Sequence, residues 1–295
     1  MTIASLREGF EKIGLPIWFI MIDLLWIAKP DALGIDARDY QYFANIWLAG
    51  GNPWAVPEGG SPYVNGPHTM LFYAPISLLP PTVSIWFWMV LGIGASLWLV
   101  RRLKLPLWWL LFPPLTHSIW NGNPQTIVLA LLVAGGPSAS PFISAATATM
   151  ATALKLYAGP ALIRRPRDLL VVVLVLTITL PLLPWPQFLN LFLSGDIGIH
   201  IKSAWNGNAW QFPALVPVVV LALWILRRDG AEWYLVPALL PATQFYYVAM
   251  ALPAIRQRAL VAAALATPVL LMTPLVVIAL AVSAMLTRFA PSNDH

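Results

Sequence analysis

The apolar stretches of this chain end, one after another, in clusters of basic residues. Arg101, Arg102 and Lys104 close one, Arg164, Arg165 and Arg167 the next, Arg227 and Arg228 a third. About 20 apolar residues match the thickness of a bilayer's hydrocarbon core, and Lys and Arg gather in the cytoplasmic loops of membrane proteins. Runs of that length point to helices, which satisfy their backbone hydrogen bonds within one segment, and not to the shorter strands of a barrel. Charged residues make up only 10% of the chain, against roughly 25% in soluble domains. The expectation is an all-α, polytopic transmembrane bundle of about 7–10 spans, with residues 1–295 forming a single membrane domain.

The basic clusters set a topology. Arg7 and Lys12 precede a first span over about Ile13 to Ala28, with no small-residue cleavage site after it, so a retained signal anchor is expected. A first outer loop follows over about residues 30–82, and the next span, about Val83 to Val100, returns to the basic side. An even number of crossings, two long or four short, must lie between the Arg101 cluster and the Arg164 cluster, with breaks at Trp120–Gln125, at Gly135–Ser140 and around Lys155. Leu169 to Trp185 goes out, a second outer loop covers about residues 186–211, and Phe212 to Leu226 comes back. The 28 prolines imply many kinked or interrupted spans, and the 15 tryptophans suit interface belts. The absence of cysteine excludes disulfides, thiolate metal sites and a cysteine nucleophile. The net charge of +5 sits in short loops and reports topology; no nucleic-acid partner is expected.

Two stretches invite a chemical reading. WNGN occurs at Trp120–Asn123 and again at Trp205–Asn208, each followed closely by a glutamine. Asn-Gly marks a tight turn; the functional alternative is a pair of amide-and-indole patches lining one outer cavity. The other stretch is GIDARDYQYFANIWLAGGNPW, Gly34 to Trp54. Tyr40, Phe43, Ala44, Trp47 and Leu48 form one apolar helical face, which Gly50, Gly51 and Pro53 terminate. This helix is too short to span and is expected to lie at the outer surface. Asp36 then falls at the N-cap and Asp39 three residues on, a capping spacing. A carboxylate fixed there is also placed to act as a general base. Asp23, inside the first span, should face protein or water and not lipid.

An acid four residues before a tyrosine, followed by an amphipathic helix ending in a Gly-x-x-Trp pattern, resembles the start of the membrane-embedded GT-C glycosyltransferases. The polyprenol-phosphate-mannose-dependent mannosyltransferases of glycosyltransferase family 87 are the most similar. LFYAPISLLPP, GNPQTIVLALL and ALKLYAGPALIRR resemble further family segments in the same order, and NGNAWQ and PATQFYY resemble later polar patches. The resemblance covers about Ile13 to Arg167 well and the remainder weakly.

The resemblance implies an inverting hexosyltransferase in the cell (plasma or inner) membrane. It would move a hexose, mannose in that family, from a polyprenyl-phosphate donor to a lipid or glycan acceptor on the extracytoplasmic face. Asp36 matches the family's base, with Asp39 second. A cation should steady the departing phosphate: Lys155 first, because an unpaired lysine among apolar residues is costly, then His200 and Lys202, with His68 and His117 behind them. The patches assign sugar or acceptor contacts to Tyr40, Tyr73, Trp120, Asn121, Asn123, Gln125, Asn208 and Tyr246. No essential metal or other cofactor is expected, a divalent cation staying open. The chain is short for that family, which leaves the completeness of the donor groove open; a partner subunit or second copy could supply the rest. Two other classes stay open: a non-catalytic GT-C-like subunit, and a small transporter or flippase using Asp23 and Lys155, against which the lack of an inverted repeat counts.

Overall fold

A computed structural model describes residues 3–27, 33–55, 63–194, 207–241 and 243–289. These residues are all-α, with no strand among them. The chain enters through α1 (Ile3–Gly9), a π-turn at Phe10–Gly14 and α2 (Leu15–Ile27), followed by the short α3 (Ile35–Leu48) and α4 (Met70–Ser77). The helix α5 (Pro81–Arg102) is long and apolar enough to cross a membrane. Its 22 residues measure about 33 Å at 1.5 Å per residue.

Past α5 the helices shorten. The block up to Ile163 is cut into five segments: a 3₁₀ helix at Leu107–Leu111, α6 (Pro113–Trp120), α7 (Gln125–Ala134), α8 (Pro141–Leu154) and a 3₁₀ helix at Leu156–Leu162. The breaks fall at WNGN, at GGPSAS and at Lys155. Proline explains several starts, because its missing N–H costs nothing in a first turn: Pro81, Pro113, Pro141 and Pro166 stand at the first positions of their helices. The remainder comprises α9 (Pro166–Thr179), α10 (Trp185–Leu193), α11 (Leu215–Ile225), α12 (Leu235–Leu239), α13 (Leu252–Ile255), α14 (Ala259–Ala266) and α15 (Met272–Phe289), with 3₁₀ helices at Ala209–Gln211, Ala231–Trp233 and Phe245–Ala251.

The short segments shuttle between two levels, and the basic clusters share one of them. Arg102 Nη2 donates to Ser138 Oγ at 2.8 Å, and Arg165 Nη1 donates to the Gly135 carbonyl at 2.7 Å. Arg164 meets Glu232 at 3.4 Å, and Arg288 meets Asp229 at the same distance. Between its first two basic clusters the chain therefore runs in short helical segments, none as long as α5. The other level holds the ends of α6 and α8 together with α3. The ten residues of α7, about 15 Å of helix, separate the two.

The helices bury little of their outer surfaces. On α5 the exposed residues include Trp86, Val90, Ile93 and Trp98; on α9 they include Leu170, Val173, Leu174 and Ile178. Such continuous apolar faces are unusual on a water-exposed monomer.

Candidate active site

The site starts with how α3 is held. Gly34 precedes it with φ +65°, in the left-handed region that glycine enters freely. Asp36 is consequently one residue inside the helix and Asp39 further in, a correction to the capping arrangement expected from the spacing; no side chain caps this helix. Its first N–H groups are met by a distant turn instead. Gly34 N donates to the Trp120 carbonyl at 2.8 Å, and Asp36 N and Ala37 N donate to the Asn121 carbonyl at 3.0 and 3.3 Å. The turn fits because Gly122 has φ +67° and lies against Ala37, where an added Cβ would stand 2.7 Å from the alanine methyl. The first WNGN is thus a tight turn that docks α3, and docking frees the Asp36 carboxylate from capping.

That carboxylate meets the next residue of the turn. Asn123 Nδ2 lies 2.9 Å from Asp36 Oδ2 and 2.7 Å from the Tyr40 hydroxyl, one helical turn along the same face of α3. The amide orientation follows from its other end, where Asn123 Oδ1 accepts from Gln125 N at 2.9 Å. Lys155, almost wholly buried where α8 ends, donates from Nζ to the same Tyr40 hydroxyl at 2.7 Å and to Asn65 Oδ1 at 3.1 Å. Its ammonium also stands 4.7 Å from the centre of the Tyr40 ring, a favourable cation–π distance. No carboxylate among the described residues comes within ion-pair range of it. Asp36 and Lys155 are therefore joined through Asn123 and one phenol.

Aromatic rings wall this network. Tyr73 stacks on Tyr40 at 4.3 Å with nearly parallel planes, and its hydroxyl donates to the Leu154 carbonyl at 3.3 Å. Tyr246 hydrogen-bonds to Asp36. Tyr157 packs edge-on against Tyr247 at 4.5 Å and donates to Gln125 Oε1. Burial raises the Asp36 carboxyl above its ordinary value; the Lys155 charge and the hydrogen bonds from Asn123 and Tyr246 oppose that rise. Three polar atoms on the turn, Trp120 Nε1, Asn121 Oδ1 and Gln125 Nε2, are buried without a protein partner.

The structure brings together Asp36, Tyr40, Tyr73, Asn123, Gln125, Lys155 and Tyr246, with Trp120 and Asn121 in the adjoining turn. Asp39 lies on the exposed face of α3. Asn208 is buried at a separate joint, where its amide donates to the Pro241 carbonyl and Thr243 Oγ1 and its Oδ1 accepts from Trp210 N. His200 and Lys202 fall outside the described residues, as do Trp205 and Asn206. His117 lies 3.3 Å from Asn121 and against Tyr246. His68 stacks on Trp185 and donates from Nε2 to the Thr152 carbonyl at 3.1 Å; burial pulls its pKa down to about 4, leaving it neutral and unsuited to hold a phosphate. Asp23 accepts from Thr116 Oγ1 at 2.5 Å.

Asn65, Tyr157 and Tyr247 are members of the site that the sequence reading missed. Tyr157 carried one signal, its place two residues beyond Lys155. Among the described residues no group of acidic or histidine side chains could hold a metal ion. Comparison with protein-family models, with curated proteins and with solved structures finds no match for this chain.

Proposed function

We propose that the chain is a multi-pass membrane protein of the cell membrane and an inverting glycosyltransferase of the GT-C kind. It transfers a hexose, mannose by its resemblance to family 87, from a polyprenyl phosphate to a lipid or glycan acceptor on the extracytoplasmic face. The membrane placement is supported by the apolar outer faces of α5 and α9 and by the basic side chains gathered at one end of the bundle. The observation that carries the chemical reading is the Asp36 carboxylate, half-buried, fixed by Asn123 and Tyr246, and linked to the Lys155 ammonium through the Tyr40 hydroxyl.

In this reading the acceptor hydroxyl gives its proton to Asp36 as its oxygen attacks the anomeric carbon. The bond from that carbon to the phosphate oxygen breaks, and the electron pair leaves with the polyprenyl phosphate. The raised carboxyl suits a base, since a very acidic carboxylate takes a proton poorly. Lys155 supplies positive charge where the phosphate departs. The unpartnered Asn121 Oδ1 and Gln125 Nε2 are an acceptor and a donor beside aromatic rings, a combination that suits sugar hydroxyls.

One observation favours a second reading, a non-catalytic subunit of the same fold. Lys155 is buried and already donates to Tyr40 and Asn65, as a purely structural lysine would. Turnover of a panel of polyprenyl-phosphate sugars by the purified protein in lipid separates the two, scored as release of polyprenyl phosphate with membrane extract as acceptor. The transferase reading expects turnover that is lost in Asp36→Asn and kept in Asp39→Asn. A folded wild type that turns over no donor, with or without extract, rejects the stand-alone enzyme.

A further inference from the structure

We propose that Arg258, at the basic end of the bundle, holds the phosphate of one anionic phospholipid, in a site separate from the Asp36 network. Two grooves meet at this residue. One, of about 430 Å³, is apolar, lined by Leu6 and Phe10 of the entry helices and by Leu260 and Val261 of α14. The other, of about 340 Å³, is polar, lined by Ser283, Thr287 and Arg288 of α15 together with Asp229. Arg258 lines both, at the residue that precedes α14.

The charges at this junction select the ligand. Asp229 is paired with Arg288 at 3.4 Å, so its negative charge is compensated within the groove. Arg258 has no carboxylate in ion-pair range among the described residues; the Tyr234 hydroxyl is its neighbour. A half-buried guanidinium that no anion among the described residues meets suits a phosphate, which its planar fork matches with paired hydrogen bonds. The Ser283 hydroxyl provides a further donor on the polar side, while the Thr287 hydroxyl donates to the Ser283 and Ala284 carbonyls of its own helix and offers the groove only an acceptor. An occupant must then be apolar on one side of the phosphate and polar on the other. An acyl chain along Leu6, Phe10 and Leu260, a phosphate at Arg258 and a polar headgroup beside Ser283 and Thr287 meet that requirement. Basic pockets between helices on the cytoplasmic side are established lipid sites in other membrane proteins. The inference uses the membrane placement proposed above and nothing of the transferase chemistry.

The test is native mass spectrometry of the full-length protein extracted from bilayers holding equal phosphatidylglycerol and phosphatidylcholine. Wild type should retain one phosphatidylglycerol in preference to phosphatidylcholine by about fivefold, the factor one basic residue gives at an anionic surface. Arg258→Gln should lose the preference and Arg258→Lys should keep part of it. Arg228→Gln, which removes an exposed cation at the same end, should behave as wild type. Equal retention of both lipids by wild type overturns the proposal whatever the variants do, and so does a preference that survives Arg258→Gln. Inorganic phosphate should not displace the bound lipid; displacement at millimolar phosphate would make this a free-anion site and refute the lipid assignment. Phosphatidylcholine bound around the apolar faces reports the membrane placement separately, so failure there and failure at Arg258 are distinguishable.

Discussion

Asn123 holds Asp36: its amide nitrogen stands 2.9 Å from the carboxylate and 2.7 Å from the Tyr40 hydroxyl that also accepts from Lys155. One amide thereby sets the spacing between the negative and the positive end of the site. Replacing it with alanine should leave the Asp36 carboxylate free to turn. If Asp36 is the base of the proposed transfer, misplacing it costs on the order of 10²-fold in rate. Asn123→Ala should therefore lower kcat by about that factor with the donor KM little changed. If Asn123 bound the sugar instead, KM would rise, and measuring both constants distinguishes the roles.

Asp36 should oppose stability where it serves function. Burial raises its pKa in the folded protein above its ordinary value. The sign follows from linkage: a group raised on folding gives stability that is fully present below its unfolded pKa and is lost as pH rises through the folded one. At neutral pH the Asp36 carboxyl is therefore a cost. Asp36→Asn removes the charge and keeps an acceptor for Asn123. Its Tm should exceed that of wild type at neutral pH, and the difference should shrink on acidification through the carboxylate range. A variant less stable than wild type at neutral pH, or a difference that ignores pH, would refute this account of the site.

The part of this arrangement that the sequence made visible is the part encoded locally. The 3.6-residue spacing of Tyr40, Phe43, Ala44, Trp47 and Leu48 revealed a one-sided helix; the first three belong to its buried face, whereas Trp47 is half-buried and Leu48 exposed. The breaks at WNGN, GGPSAS and Lys155 were visible because Gly, Pro and Asn punctuate helices through their own backbone chemistry. The helix start was misplaced because the donors of its first turn find carbonyls at Trp120 and Asn121, more than eighty residues away. Nothing near Asp36 signals such a partner. Asn65 escaped notice for the same reason: it sits in a Gly- and Pro-rich loop that reads as a turn, and only the fold carries it to Lys155. Asn208 shows the converse, since its likeness to Asn123 is one of local turn chemistry while its partners are Pro241 and Thr243.

The docking of α3 on the turn makes Gly122 sensitive to substitution for two reasons. Its φ of +67° disfavours any residue with a Cβ, and that Cβ would stand 2.7 Å from the Ala37 methyl. Gly50 also has a positive φ, +80°, but nothing lies within 4 Å of a Cβ there. Gly50→Ala should cost only the backbone term, about 1–2 kcal/mol. Gly122→Ala should cost clearly more and should also reduce turnover, because α3 and Asp36 must move together. Thermal unfolding of the two variants side by side checks this; equal losses would mean that the Gly122–Ala37 contact contributes nothing.

The absence of native cysteine permits a direct test of orientation. Single cysteines can be introduced with no background for a thiol reagent that does not cross membranes. Asp39 lies on the exposed face of α3, at the level of the Asp36 network, and Arg228 is exposed in a basic cluster at the far end. If basic residues mark the cytoplasmic face, Asp39→Cys should react in intact cells and Arg228→Cys only after permeabilisation. The reverse pattern would invert the topology and place the acid on the cytoplasmic face, out of reach of an extracytoplasmic acceptor. Labelling of both positions from outside would mean that the two levels are not separated by a bilayer, and the transferase reading would lose the membrane placement on which it rests.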